Sequence, residues 1–177
     1  MRPIIIAIIG ASGSGKTYAA KFLKNELNIP VIVSYTTRPI RSGEIEGEDH
    51  HFITKAFMPP KKEMLAFTRF GGYDYFTLHS QVPQKSLCSY AIDEDGLEML
   101  KQKYSDRYSV IAIAIKCNPS ALHQRGIEKE RVLRDKARKK LPDHYFDSII
   151  YNNGSLENYK ANIIHEINKL QLCQHQK

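Results

Sequence analysis

Gly10-Ala11-Ser12-Gly13-Ser14-Gly15-Lys16-Thr17 places three glycines, a lysine and a hydroxyl within eight residues. Glycines in such a turn let backbone N–H groups converge on phosphate oxygens. Lys16 can then reach the β- and γ-phosphates of a nucleotide, and the Thr17 hydroxyl can ligate magnesium. The stretch fits the phosphate-loop pattern GxxxxGK[ST] without deviation. It predicts an ATP site formed by Gly10, Ala11, Ser12, Gly13, Ser14, Gly15, Lys16 and Thr17, with Mg2+ as the accompanying ion at Thr17.

A second phosphate has its own candidates. Ser34-Tyr-Thr-Thr-Arg-Pro-Ile-Arg-Ser-Gly-Glu44 sets Arg38 and Arg41 beside hydroxyl side chains. Paired guanidinium forks at the end of a strand suit a phosphate group. A solvated basic loop is the plain alternative, and the neighbouring phosphate loop weighs against it. Glu44 is placed to orient these arginines. His50 and His51 are adjacent, so on a strand they face opposite ways and share no metal.

These residues need a frame. Ile4 to Ile9 is a continuous apolar run of the kind found in a strand buried on both faces. Thr17 to Leu27 has helical spacing and ends at Asn28 and Pro30. Pro30 to Val33 leads into a second strand, which makes one βαβ unit and implies a parallel sheet. Ser89 to Ile92 and Val110 to Ile115 read as further buried strands, and Ser148 to Tyr151 as a last one. Residues 34–82, with Gly43, Gly47, Gly71, Gly72 and the pair Pro59-Pro60, read as an inserted subdomain with short strands near Phe52 and Phe67 to Phe70. Asp95-Gly96 reads as a turn into a helix. Residues 120–140 are charged and helical in pattern, with six basic residues from Arg131 to Lys140. Leu156 to Leu170 is an amphipathic closing helix.

The 177 residues carry a net charge of +7, which suits a polyanionic ligand. Nucleic acid fits that charge, but no nucleic-acid motif is present. Ile4 to Ile9 is too short to span a bilayer. The three cysteines lack metal or redox spacing and read as reduced thiols of a cytoplasmic protein.

The stretch SYTTRPIRSGEIEGEDHHF, Ser34 to Phe52, resembles the acceptor signature of the guanylate kinase family. The resemblance continues through Glu63 to Tyr75, at Ala91-Ile-Asp-Glu-Asp-Gly96 and at Ile149-Ile-Tyr-Asn152. It implies a three-layer α/β P-loop NTPase fold with a parallel sheet of about five strands. The core would be 1–33 and 83–177, the acceptor-binding subdomain 34–82, and the lid about 120–140. It implies transfer of the terminal phosphoryl group of ATP to GMP or dGMP, by a monomer or homodimer that uses neither membrane nor nucleic acid. Another nucleotide or a phosphorylated sugar is the alternative acceptor. A non-catalytic scaffold module of this family would lack the phosphate loop that this chain keeps.

By the same resemblance, Ser34, Arg38, Arg41 and Tyr75 would hold the acceptor phosphate. Thr77 would lie near the base, and Asp93 near the acceptor and the metal. Arg125 and either Arg131 or Arg134 would be lid arginines acting with Lys16 and Arg38 in catalysis, and Asn152 would sit by the donor adenine. Two positions depart from the pattern. His50 stands for a phosphate-binding tyrosine, and Ala66 for a glutamate that reads the guanine edge. A methyl group accepts no hydrogen bond, so guanine specificity does not follow. Glu63 is three residues away and on an alternating strand faces the other side.

Overall fold

The computed structural model describes residues 2–84, 87–124, 135 and 139–174. β1 (Ile4–Gly10) runs straight into the phosphate loop, and α1 (Lys16–Leu27) leaves it. β2 (Tyr35–Thr36), β3 (His51–Phe52), β4 (Met64–Phe70) and β5 (Tyr73–Leu78) follow, all within 34–82. Then come β6 (Leu87–Ala91), α2 (Glu94–Lys103), β7 (Ser109–Lys116), α3 (Pro119–Gln124), β8 (Ser148–Tyr151) and α4 (Leu156–Gln174).

The strands form two sheets. One is all parallel in the order β6-β1-β7-β8. Beyond β6, Val31 adds a single parallel bridge to Ser89. Pro30 has no N–H to extend that pairing. The second sheet has the order β3-β2-β5-β4. Its β4–β5 hairpin turns at Gly71-Gly72, both with positive φ (60° and 81°), the geometry that a tight two-residue turn demands.

β1 is central and buried on both faces, as its unbroken apolar run requires. Ile5, Ala7 and Ile9 pack with Leu97 and Leu100 of α2 and with Leu65 and Ala66 of β4. Ile6 and Ile8 pack on the opposite face with Ala19, Ala20 and Leu23 of α1 and with Tyr159, Ile163 and Ile167 of α4. This period-two division makes the three layers. The second sheet shares the first of these clusters, so the cleft between the sheets has a rigid floor.

Two local expectations are corrected, and a third is only partly within the described residues. Glu63 is not on an alternating strand. It lies exposed in a 3-10 turn, Lys61–Glu63, and the register of β4 shifts between Met64 and Ala66. Asp95-Gly96 is no turn. It lies inside the first turn of α2, because Asp93 caps that helix by accepting from Gly96 N at 2.8 Å. Of the helical stretch expected at 120–140, α3 covers the start, and 125–134 and 136–138 lie outside the described residues. No helix among the described residues is long and apolar enough to cross a membrane.

Leu65 is fully buried where the two sheets meet. Leu65→Ala is expected to cost about 2–5 kcal/mol in urea unfolding. A loss below about 1 kcal/mol would mean that the second sheet does not share the core.

Candidate active site

The C-terminal end of β1 opens into a cleft of about 220 Å³ between the sheets. Ser12 and Lys16 line it from the phosphate loop, and Ser34, Arg38, Arg41, His50 and Tyr75 from the second sheet and its loops. Ala66, Thr68, Phe70, Tyr90, Ile92 and Asp93 complete it. Lys16 Nζ donates to the carbonyls of Gly10 (2.6 Å) and Ala11 (2.9 Å), folded back over its own loop. The N–H and hydroxyl of Ser12 both contact the carboxylate of Asp135. An anion thus sits on a donor of the loop that a nucleotide phosphate would take.

Arg38 is the most constrained cation. It is only 4% exposed, and its fork meets Glu44 in two hydrogen bonds of 2.6 and 2.5 Å. Its Nη1 also reaches Pro39 O at 2.9 Å, and its guanidinium lies 5.3 Å from the centre of the Phe52 ring. Arg38 Nε is buried without a hydrogen-bond partner among the described residues. An unpaired buried donor facing a cleft is an invitation to an anionic ligand. Glu44 also accepts from Arg41 N at 2.8 Å, so one carboxylate ties both arginines together.

Burial alone would raise the Glu44 carboxyl. The hydrogen bonds from Arg38 and from Arg41 N, with the Arg38 charge, outweigh it and hold the group at about 2. His50 is pushed below its ordinary value by burial and by the Arg38 charge, so it is neutral. Its Nδ1 pairs with Ser34 Oγ at 2.8 Å, and its ring meets Tyr75 edge-on. His51 instead pairs with Glu46 at 3.3 Å, so the two histidines have separate partners.

The other expected residues are distributed as follows. Gly13, Gly15 and Asn152 border a second cavity with Tyr18, Gly154, Leu156 and Tyr159. The Asn152 side chain is buried and donates to Ser14 O at 2.8 Å, so it braces the phosphate loop from below. Ser14 itself is buried. Thr17 is exposed at the first turn of α1. Thr77 does not line the cleft. It is fully buried, and its Oγ1 donates to the Tyr90 hydroxyl at 3.1 Å. Arg125, Arg131 and Arg134 lie outside the described residues. Tyr90, Tyr159 and Asp135 were not singled out by their spacing. Tyr159 falls on the apolar stripe of α4, and its hydroxyl donates to Gly15 O at 3.0 Å.

Glu44 binds its proton less tightly in the native state than in the unfolded chain, where its ordinary value is 4.5. The stability it contributes is therefore present above pH 4.5 and lost as pH falls toward 2. Glu44→Gln is expected to flatten the acid arm of the urea midpoint over that window. An unchanged slope would mean that Arg38 does not hold this carboxylate.

A family model described as guanylate kinase matches residues 1–168. The guanylate kinase of Agrobacterium fabrum is 33% identical over 144 residues, which span 75% of this chain and 66% of that protein. The guanylate kinase of Neisseria gonorrhoeae is 28% identical over 182 residues, spanning 95% of this chain and 88% of that protein. The crystal structure of guanylate kinase from Anaplasma phagocytophilum superposes with a TM-score of 0.67 at 21% identity, covering 96% of this chain and 87% of that one, and so shares the fold. With a family model matched across nearly its whole length, the chain belongs to the guanylate kinase family.

Proposed function

We propose that this chain transfers the terminal phosphoryl group of ATP to the phosphate of GMP or dGMP. The observation that carries the reading is that Lys16 of the phosphate loop shares one cleft with Ser34, Arg38, Arg41, His50 and Tyr75. Two phosphate-binding sets face each other there, as in-line transfer between two phosphates requires.

In this reading Gly10 to Thr17 cradle the ATP phosphates. Lys16 leaves the Gly10 and Ala11 carbonyls to meet the β- and γ-phosphate oxygens, and Asp135 gives up Ser12. Arg38 and Arg41, preset by Glu44, grip the acceptor phosphate with Ser34, Tyr75 and the neutral His50. Gly13, Gly15 and Asn152 border the place for the adenine. Asp93 and Thr77 lie on the acceptor side. Thr17 offers an exposed hydroxyl oxygen beside Lys16, the hard donor that Mg2+ takes. Bound there, the ion would offset the charge of the β- and γ-phosphates. We assign 34–82 as the acceptor-binding unit and about 120–140 as a lid whose Arg125 and Arg131 or Arg134 close on the transferring group.

Lys16→Ala is expected to lower kcat by about a hundredfold or more, since one preorganised charge contact is lost. Activity within about threefold of the unmodified protein would remove Lys16 from this role. Ala66→Glu restores an acceptor carboxylate beside the base. It is expected to raise the preference for GMP over AMP in kcat/KM by about ten- to two-hundredfold, the worth of a charged hydrogen bond. No change in the ratio would place the base away from Ala66.

A further inference from the structure

Tyr90 forms a hydrogen-bonded pair with Thr77, and the assignments above give Tyr90 no role. Tyr90 crosses from β6 of the first sheet to meet Thr77 on β5 of the second. Both side chains are buried, and Tyr90 lines the cleft beside Ala66 and Ile92. Two hydroxyls bring two protons to a contact that uses one. Neither residue makes another side-chain hydrogen bond among the described residues. With Thr77 donating, the Tyr90 proton has no acceptor among the described residues. Buried donors are rarely left so, and Tyr90 is one of the residues that line the cleft.

Register says what part of a ligand would meet it. Thr68 lies opposite Tyr75, and Ala66 opposite Thr77. Tyr75 and Thr77 are on one face of β5, two residues and about 7 Å apart. A monophosphate gripped by Arg38, Arg41 and Tyr75 therefore extends its nucleoside toward Ala66, Thr77 and Tyr90. Phe70, Ala91 and Ile92 give that end flat or apolar walls. Burial pushes the Tyr90 phenol up, so it stays a neutral O–H throughout the working pH range.

We propose that the Tyr90 hydroxyl, held by Thr77, reads the acceptor base by donating to its ring carbonyl oxygen, so that 6-oxopurine monophosphates are accepted with or without a 2-amino group. Guanine and hypoxanthine both offer that carbonyl. Adenine puts an amino donor in its place and leaves two donors facing. The 2-amino group of guanine needs an acceptor, but Ala66 presents a methyl, and Glu63 is exposed in the turn before β4. One oxygen of Asp93 is committed to Gly96 N. The other could take the N1–H that guanine and hypoxanthine have in common. This inference rests on the kinase reading and names the acceptor class of the same site.

The test is kcat/KM for GMP, IMP and AMP at saturating MgATP, on the unmodified protein and on Tyr90→Phe, with ATP affinity as the check on folding. GMP and IMP are expected within about tenfold of each other, and both more than about tenfold above AMP. A larger preference for GMP over IMP overturns the proposal without any variant, and so does AMP within tenfold. Tyr90→Phe is expected to lower GMP and IMP turnover about tenfold each and AMP less than about threefold. An equal fall for all three would assign Tyr90 to the fold and overturn its reading role. Turnover with none of the three overturns the kinase reading itself. Turnover with strong discrimination between GMP and IMP overturns only the base assignment.

Discussion

Gly15 enters α1 with φ at +109°, and a Cβ there would lie 2.7 Å from Asn152 Nδ2 and 3.1 Å from Tyr159. The backbone of the phosphate loop is thus pressed onto a platform made by two later elements. Asn152 follows β8 and holds Ser14 O, while Tyr159 of α4 holds Gly15 O. A strand-to-helix turn that aims several N–H groups at one point spends backbone conformations that most residues avoid. These contacts from below keep that turn in one shape. The position of Lys16, and with it the distance between the two phosphate sets, follows from this packing.

The acceptor side solves a different problem. Arg38 must be buried to face the cleft, and a buried guanidinium needs a partner. Glu44 supplies it, with both oxygens on the Arg38 fork and one also on Arg41 N. Their mutual attraction offsets the desolvation of the pair and leaves Arg38 Nε for a ligand. His50, kept neutral by burial and by the same arginine, adds a polar group without a competing charge. The positive charge of the cleft is therefore concentrated on the arginines and Lys16.

How much of this was legible in the sequence depended on distance along the chain. The phosphate loop is eight consecutive residues, and β1 and α1 flank it as their periodicity requires. Arg38 and Arg41 with Glu44 are also local, and the contact expected of Glu44 is present. What spacing could not reveal are contacts between remote elements. Thr77 and Tyr90 are 13 residues apart, and Tyr159 and Gly15 are 144 apart. Periodicity says that Tyr159 is on the inner face of α4, but not that its hydroxyl meets the loop. Glu63 failed for another reason: the shifted register at the start of β4 ends the alternation on which its facing was judged. β5 is not among the strands that the sequence pattern predicts; its Asp74 is charged, yet it is buried and paired with Arg69 of the neighbouring strand.

The cleft divides the work of recognition into two physical kinds. At the end lined by Lys16, Arg38 and Arg41, charged donors suit a group that every nucleoside monophosphate carries, so under the proposed function they would provide affinity without choosing a base. At the other end the lining is apolar, with hydroxyls and one helix-capping carboxylate as its polar side chains. A carboxylate only accepts, and so it rewards a base with paired N–H groups. A hydroxyl whose lone pair is taken by Thr77 donates, and so it rewards a carbonyl. On the reading proposed above, Ala66 offers the base no acceptor, while the Tyr90 hydroxyl offers it a donor. On that reading, phosphate grip and base choice would be separable in this cleft, because they would fall to different side chains at its two ends.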